Sequence, residues 1–302
     1  MGKTPPGRQS RIDRAREAAM VARMIFPRDP QTAADVGGHY DELDETYRSI
    51  WGEHVHHGYW RTGRETPEEA TDALVGLVGE RLELRPGMKL VDIGCGYGAT
   101  AARLAAQHGV GVTGFTLSGA QWRIAAARAG ALDFQLRDWL DNGLPDRRFD
   151  GAYAIESSEH MVDKARFFAE AWRVLKPGSR FVVCAWLSRT GPNRMEVRHL
   201  LEPICREGRL PSMGTREDYE ALAAGAGFVP LRYDDISRQV RRTWSICAGR
   251  AARRLATDRA FRRFAFARTT KNRSFMLSVP RLMLALRTGA MRYGIFVWEK
   301  PA

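Results

Sequence analysis

Val91-Asp-Ile-Gly-Cys-Gly-Tyr-Gly98 is the stretch on which the fold turns. It begins inside the short apolar run Lys89–Ile93 and leads into a helical pattern over residues 99–107, so its glycines sit where a strand crosses to a helix. Glycines there let the backbone approach a ligand closely, and the helix N-terminus behind them offers free N–H groups. Cys95, inside the loop, reads as a small buried residue rather than a nucleophile. The spacing by itself leaves the ligand open, because such loops also serve dinucleotides or only make tight turns. A dinucleotide site wants its third glycine one residue later and an acid about 20 residues on. Here Thr116 closes the second strand where that acid would stand.

Outward from the loop the chain alternates strands and helices. Residues 110–115 read as a second strand, and Ser118 caps a helix running to residue 129. Leu132–Leu136 and Phe149–Ile155 are the third and fourth strands, residues 163–175 a helix with Phe167, Phe168, Ala171, Trp172 and Leu175 inward, and residues 180–186 a fifth strand begun after Pro177-Gly178. Strands separated by helices of this length imply a mostly parallel sheet covered on both faces. Residues 188–213 read as irregular. Thr215 and Asp218 form an approximate capping box for the next helix, and residues 228–233 and 292–298 are the last strands. Between these lie some 55 residues of basic helical pattern, Arg238 to Thr288, too many for a loop, so they form a helical lobe. On the N-terminal side, residues 1–30 read as a loose arm or short helix. Tyr40, Leu43, Tyr47 and Trp51 share one helix face, and Pro67 opens a further helix that ends near Leu84.

The 302 residues carry 44% hydrophobic and 27% charged side chains, which excludes disorder along the whole chain. No run of 18 apolar residues exists, and nothing at the N-terminus reads as a signal peptide. Cys95, Cys184, Cys205 and Cys247 are scattered without a C-x-x-C pair, so neither a zinc site nor a disulfide framework is expected, and the protein reads as reduced and cytosolic. The net charge is +12; residues 231–302 hold 17 basic and 4 acidic side chains, so the first 230 sum to 12 − 13 = −1. Any anionic partner belongs to that C-terminal segment.

Five landmarks in order resemble class I S-adenosylmethionine-dependent methyltransferases: the glycine loop, Asp92 before it, Arg137-Asp138-Trp139 after strand three, Leu144-Pro145-Asp146 before strand four, and Val174-Leu-Lys-Pro-Gly178 before strand five. Gly114-Phe-Thr-Leu-Ser-Gly-Ala-Gln121, Trp51-Gly-Glu-His-Val-His-His-Gly-Tyr59, Glu156-Ser-Ser-Glu-His-Met161 and Arg287-Thr-Gly-Ala-Met-Arg-Tyr-Gly294 are similar to the γ-tocopherol C-methyltransferase and cyclopropane fatty acid synthase branch. The resemblance spans about residues 40–300 and is loosest in the lobe. It implies an α/β, doubly wound, seven-stranded Rossmann-like sheet in the order 3-2-1-4-5-7-6 with strand seven antiparallel. It divides the chain into an N-terminal arm and helical cap (1–85), a methyltransferase core (86–237), a helical lid insertion (238–290) and a last core strand (291–302).

The cofactor implied is S-adenosylmethionine. Asp92, Gly94, Cys95, Gly96, Thr116, Leu117, Gln121, Asp138, Trp139, Glu156 and Tyr59 are the implied contacts, with Gln121 on a ribose hydroxyl and Asp138 on the adenine amine. Gly94→Val is expected to abolish cofactor binding in a folded protein. The catalytic candidates are Glu156, His160 and His57. Glu156 and His160 stand four apart, so a helical turn would put them on one face. One reading has Glu156 touching the cofactor and His160 capping the next helix. The other makes one of them the base that removes a substrate proton, a task suited to histidine. His54, His56 and His57 lack a fourth ligand, so no metal is expected, and the loop is read as folding over the cofactor with His57, Gly58 and Tyr59 near the sulfonium.

The expected reaction is methyl transfer to a small, lipophilic molecule, with a phenol or prenylated ring carbon favoured and nitrogen or oxygen open. Alternatives are C-methylation of a prenyl diphosphate or lipid alkene, and more distantly an RNA methyltransferase or a cofactor-binding protein without turnover. The arginine pairs of the lobe, interleaved with Trp244, Phe261, Phe264 and Phe266, read first as a solvated helix face. Peripheral contact between residues 238–288 and an anionic membrane comes next, then a clamp on a substrate diphosphate, and nucleic acid last.

Overall fold

The computed structural model describes residues 24–128, 130–267, 272 and 275–302. Most of the expected N-terminal arm, the last residue of the helix after Ser118 and part of the basic lobe therefore lie outside the described residues. Strands β1 (Lys89–Ile93), β2 (Gly111–Thr116), β3 (Leu132–Leu136), β4 (Phe149–Ile155), β5 (Leu175–Ser188), β6 (Val229–Asp235) and β7 (Met291–Glu299) form one sheet in the order β3-β2-β1-β4-β5-β7-β6. Strands β1 to β5 pair in parallel, and β7 runs antiparallel to both β5 and β6. Central strands buried on both faces read as continuous apolar runs, and β1 is buried from Leu90 onward. The edge strand β6 is mostly exposed. Pro230, a register shift beside it, and Arg232, Asp234 and Asp235 discourage edge-to-edge pairing.

Two apolar cores flank the sheet. One face packs Phe167 and Phe168 of helix Lys164–Val174 and Tyr219 and Leu222 of helix Arg216–Ala226 against Phe181 and Trp298. The other packs Leu74 and Val78 of helix Pro67–Leu82 and Leu104 of helix Ala99–His108 against Tyr153, Val182 and Ile295. The helices begin where side chains satisfy the orphan N–H groups of the first turn. Thr66 with Glu69 and Thr215 with Asp218 form reciprocal capping boxes, Ser118 accepts from Gln121, and Asp163 accepts from Arg166.

Several expectations need correcting. The helix face running from Tyr40 to Trp51 is divided into Ala33–Glu42 and Asp44–Ile50 by Leu43, which leaves helical geometry (φ −96°, ψ 6°) and is buried. The stretch read as irregular over 188–213 contains helix Arg194–Glu196, a π-helical turn Val197–Leu201 and helix Glu202–Glu207. Its three prolines mislead because Pro203 falls in the first turn of a helix, where its missing N–H costs little. Strand β5 starts at Leu175, through Pro177-Gly178, with a register irregularity against β4. Asp163, not His160, caps the following helix.

The basic lobe contains helices Ser237–Val240, Arg242–Thr257, Arg259–Phe266 and Phe275–Thr288. They build a third core in which Trp244, Cys247, Phe261, Leu282 and Leu286 meet Ile50, Leu201 and Ile204. The lobe is tied to the N-terminal cap: Arg250 donates to the Ile50 carbonyl (2.6 Å), and the Thr243 hydroxyl accepts from Gly58 N (3.0 Å) and Trp60 Nε1 (3.2 Å). Arginines also hold the lobe together. Arg254 pairs with Asp258 over the Phe261 ring, Arg262 donates to the Leu255 and Ala256 carbonyls, and Arg281 pairs with Glu207. Trp244 and Phe261 are buried, whereas Phe266 is 74% exposed. No helix among the described residues is long and apolar enough to cross a membrane.

Candidate active site

Strand β1 has β2 on one side and β4 on the other, so chain connections leave its carboxyl end in opposite directions and open a crevice there. The loops after four strands line a cleft of about 670 Å³: Gly94 and Gly96 after β1, Thr116 to Ser118 around the end of β2, Arg137 to Trp139 after β3, and Glu156 and Ser157 after β4. The cap closes it with Val36, Tyr40 and Val55, and Asp41 of the cap accepts from Ser118 Oγ (2.5 Å) and Ala120 N (2.9 Å). A smaller cavity of about 350 Å³ continues from it along the glycine loop, past Asp92, Cys95 and Thr100 to His54 and His56.

The groups present suit an adenosyl amino acid. Gly96 adopts φ +53°, and a Cβ built on it meets nothing within 4 Å, so the loop leaves open the space a ligand would fill. Gln121 Oε1 accepts from the Thr116 hydroxyl (2.9 Å), which leaves the amide N–H groups to donate to a ribose oxygen. Asp138 accepts from Leu140 N through Oδ1 at the start of a 3₁₀ turn, and its side chain lies on the cleft wall beside Trp139. Asp92 is buried and accepts from Tyr153 Oη (2.9 Å). Burial pushes its carboxyl up to about 7, a situation a cationic partner would reverse. Thr116, Leu117, Gln121, Asp138, Trp139, Gly94, Gly96 and Glu156 therefore border the main cleft, and Asp92 and Cys95 border its extension.

Glu156 follows β4 in the left-handed region (φ +53°), a strained conformation for a residue with a side chain. Its carboxylate is buried, and each oxygen accepts two hydrogen bonds. Oε1 takes His57 N (2.7 Å) and Tyr293 Oη (2.8 Å), and Oε2 takes His57 Nδ1 (2.9 Å) and Trp186 Nε1 (3.0 Å). Burial alone would raise its pKa, but His57 and these donors outweigh burial and hold it below the ordinary carboxylate value. An acceptor so fully engaged is a poor base.

His57 needs a correction. It is fully buried among Trp51, Trp186, Trp244 and Tyr293 and borders none of the cavities described. The buried charge of Glu156 requires a partner, and the loop supplies His57 to it. Tyr59 is displaced from the site as well. Its backbone pairs with Ala70 O, and its ring packs on the core beneath the sheet.

His160 sits on the wall shared by the cleft and a second cavity of about 430 Å³, bounded also by Tyr40, Tyr47, Trp51, Glu159, Trp186, Leu210 and Trp244. Its Nδ1 contacts the Arg209 carbonyl (3.2 Å), so that nitrogen carries the proton and Nε2 accepts from Tyr40 Oη (3.0 Å). Burial lowers its pKa to about 4, which keeps the ring neutral. Glu159 has the opposite tendency to Glu156: burial, with Glu156 nearby, raises it to about 7. Tyr40, Glu159, Trp186 and Trp244 were not singled out from sequence as site residues. Glu159 lies inside the quoted Glu156–Met161 motif, which was the one available signal. An apolar void of about 800 Å³ continues from Tyr47, Trp51 and Trp244 between the cap and the lobe. Among the described residues no group of three or more His, Cys, Asp or Glu side chains is gathered as for a metal, and the four cysteines are buried and free.

Comparison with known proteins accords with this geometry. The family model for mycolic acid cyclopropane synthetase matches residues 28–253. The O-methyltransferase resE of Aspergillus sclerotiorum is 36% identical over 70% of this chain and 81% of its own length. The 27-O-demethylrifamycin SV methyltransferase of Amycolatopsis mediterranei (strain S699) is 34% identical over 72% of this chain and 82% of its own. Among solved structures, the cyclase SpnF superposes with a TM-score of 0.77 at 28% identity, covering 93% of this chain and 100% of that one. A doubly wound sheet with this strand order, a glycine-loop cleft suited to an adenosyl amino acid and a family match over three quarters of the chain identify it as a class I S-adenosylmethionine-dependent methyltransferase of the mycolic acid cyclopropane synthetase family.

Proposed function

We propose that this enzyme methylates a hydroxyl group of an apolar small molecule, with His160 as the general base. The observation that carries the reading is the neutral His160 ring, its Nε2 lone pair facing Tyr40 on the wall between the cofactor cleft and the aromatic cavity. S-adenosylmethionine, when bound, supplies an activated methyl group. The protein then has to align the acceptor, exclude water and receive the acceptor's proton. An acceptor hydroxyl would take the place of Tyr40 Oη at Nε2; the Arg209 carbonyl and the Glu156 carboxylate favour the charge His160 would gain, against burial and Lys164. Glu156 itself acts as the fixed anion that orders His57, Trp186 and Tyr293. The curated relatives named above as O-methyltransferases support oxygen as the acceptor over carbon.

The cavity lined by Trp51, Trp186, Trp244 and Leu210, with the apolar void beyond it, supports a lipophilic substrate covered by residues 238–290 acting as a lid. Among the described residues, none that lines either space is Lys or Arg, which speaks against a substrate diphosphate. Helix Arg259–Phe266 carries exposed Arg259, Arg263 and Phe266, which supports peripheral contact with an anionic membrane where such a substrate would reside. The test is methyl transfer from labelled cofactor to apolar phenols and alcohols and to their O-acetylated counterparts, in wild type and His160→Asn. Methyl ethers should form only from free hydroxyls, and His160→Asn should lose roughly 10²–10⁴-fold in kcat while S-adenosylhomocysteine affinity holds. Ring-carbon products, or an undiminished kcat in the variant, would overturn the reading.

A further inference from the structure

We infer that Arg209 is a positioning residue for methyl transfer: its side chain, anchored in the N-terminal segment and the lobe, holds its own backbone carbonyl on His160 Nδ1 and so keeps the proton off Nε2. This role rests on His160 acting as the base. A neutral histidine accepts a proton at one ring nitrogen only if the other already carries one, and the partner of that other nitrogen decides which it is. Here the partner is a main-chain carbonyl at 3.2 Å, 49 residues away in the chain. The neighbours of Arg209, Gly208 and Leu210, line the cavity beside His160, so the loop that orients the ring also bounds the space a substrate would enter.

The backbone at this point is strained. Helix Glu202–Glu207 ends in a Schellman turn: Leu210 N donates to the Cys205 carbonyl (2.8 Å), and Arg209, just past the cap residue, takes the left-handed conformation (φ +57°). Glycine is the usual occupant of that slot, yet the glycine of this turn stands one residue earlier, at Gly208 with φ −86°, where any residue fits. The turn alone therefore does not call for an arginine. What the arginine adds is a pair of anchors in distant segments. Its Nε donates to Asn272 Oδ1 (2.8 Å), and its Nη1 donates to Gln31 Oε1 (3.1 Å). Both anchors are buried and are themselves held. Asn272 donates through its backbone N (2.9 Å) and Nδ2 (2.6 Å) to Glu42 of the cap, and Gln31 Nε2 donates to the Asp29 carbonyl (2.6 Å). A planar guanidinium gripped at two nitrogens has one orientation, and the chain behind it follows. The carbonyl that sets the His160 tautomer is thus fixed by residues 63 and 178 positions away.

The experiment compares the full chain as wild type, Arg209→Gly, Asn272→Ala and His160→Asn, each checked for native circular dichroism. Arg209→Gly suits the left-handed slot and keeps the turn and its carbonyl while removing both anchors. Asn272→Ala leaves Arg209 in place and removes its Nε partner, so it reports even where the glycine loosens the loop. Long-range ¹⁵N–¹H spectra of the histidine rings read the tautomer of His160, whose signals are identified by their loss in His160→Asn. Wild type should carry the proton on Nδ1. In Arg209→Gly and Asn272→Ala a second population protonated on Nε2 should appear. Their kcat for an apolar hydroxyl acceptor should fall roughly tenfold or more, while S-adenosylhomocysteine affinity stays within about twofold of wild type. A wild-type tautomer retained in both variants would mean that the helix turn alone holds the carbonyl, and would overturn the assignment. A loss of cofactor affinity as large as the loss of kcat would overturn it too, because that marks a merely structural role. Undiminished turnover in His160→Asn would overturn the base reading instead, and the spectra still decide separately whether Arg209 holds the ring.

Discussion

Glu156→Gln and Glu159→Gln are the same substitution three residues apart in one buried motif, and the structure assigns them different costs. Each Glu156 oxygen accepts two hydrogen bonds. An amide keeps one oxygen, so its NH₂ must replace Oε1 or Oε2. At Oε1 it faces the backbone N–H of His57, and at Oε2 it faces the indole N–H of Trp186. Neither of these can become an acceptor, whereas Tyr293 and the His57 ring can readjust. One buried donor is stranded either way, at about 1–3 kcal/mol, and the charge-assisted bonds on the remaining oxygen weaken as well. We expect a loss near 3 kcal/mol, which at roughly 2–4 °C per kcal/mol lowers Tm by about 6–12 °C. Among the described residues Glu159 accepts from Trp186 N, Ser158 Oγ and its own backbone N–H, fewer donors than Glu156 has, and its carboxyl is raised to about 7. A glutamine can keep its oxygen on Trp186 N and donate to Ser158 Oγ, so its loss should stay under about 1 kcal/mol. Thermal unfolding followed by circular dichroism at pH 7 reads both. Equal losses, or a Glu156→Gln Tm within about 2 °C of wild type, would refute the accounting of donors around Glu156.

Stability should rise between about pH 4.5 and 6.5, because buried His39, His54, His56 and His160 exclude protons that the unfolded chain takes up and outnumber Asp92 and Glu159, which hold protons that the unfolded chain has released; Asp92→Asn/Glu159→Gln should steepen that rise in a denaturation series, and the lowered Glu156 acts in the same sense, its stabilisation being lost as pH falls below the ordinary carboxylate range. The glycine loop gives a third expectation, altered by the structure. A Cβ on Gly94 would meet Ser157 Cβ at 2.3 Å, so Gly94→Val should damage the fold itself. Gly96→Asn adds its side chain in open space and should cut S-adenosylhomocysteine affinity at least tenfold at a stability cost of about 1 kcal/mol, seen by calorimetry and melting. Gln121→Ala and Asp138→Ala should each weaken cofactor binding by about 1–3 kcal/mol and change kcat at saturating cofactor much less; loss of turnover with intact binding would move them to the substrate side. Arg259→Glu/Arg263→Glu with Phe266→Ser should abolish co-sedimentation with anionic vesicles that wild type shows at low salt and loses at high salt; wild type absent from the pellet at both salts would remove membrane contact.

Local chemistry determined the frame from sequence alone. Glycines at 94, 96 and 98 all take positive φ, where side chains are strained, and the largely apolar β1 and β4 are buried without a break from Leu90 and Gly151 onward because those strands are covered on both faces. Capping by Ser118 and Thr215 and the helix opened at Pro67 were equally legible, since each depends on residues within one turn. The loops ending successive strands converge on one crevice once the strands are ordered, but Thr116, Gln121, Asp138 and Glu156 were nominated because their motifs resemble those of the family, not by strand order alone. The role of each group within the site was not legible. Glu156 and Glu159 are the same residue type in one short motif, yet one is held ionised by His57, Trp186 and Tyr293 while the other is driven toward neutrality by burial. Those partners lie 27 to 137 residues away in the chain. His57, His56 and His54 likewise read as one histidine cluster, but tertiary packing puts the first behind the site and the other two beside the glycine loop. Protonation depends on burial and on the number of donors aimed at a group, and both are set by segments distant in sequence that meet only when the cap and lobe close over the sheet.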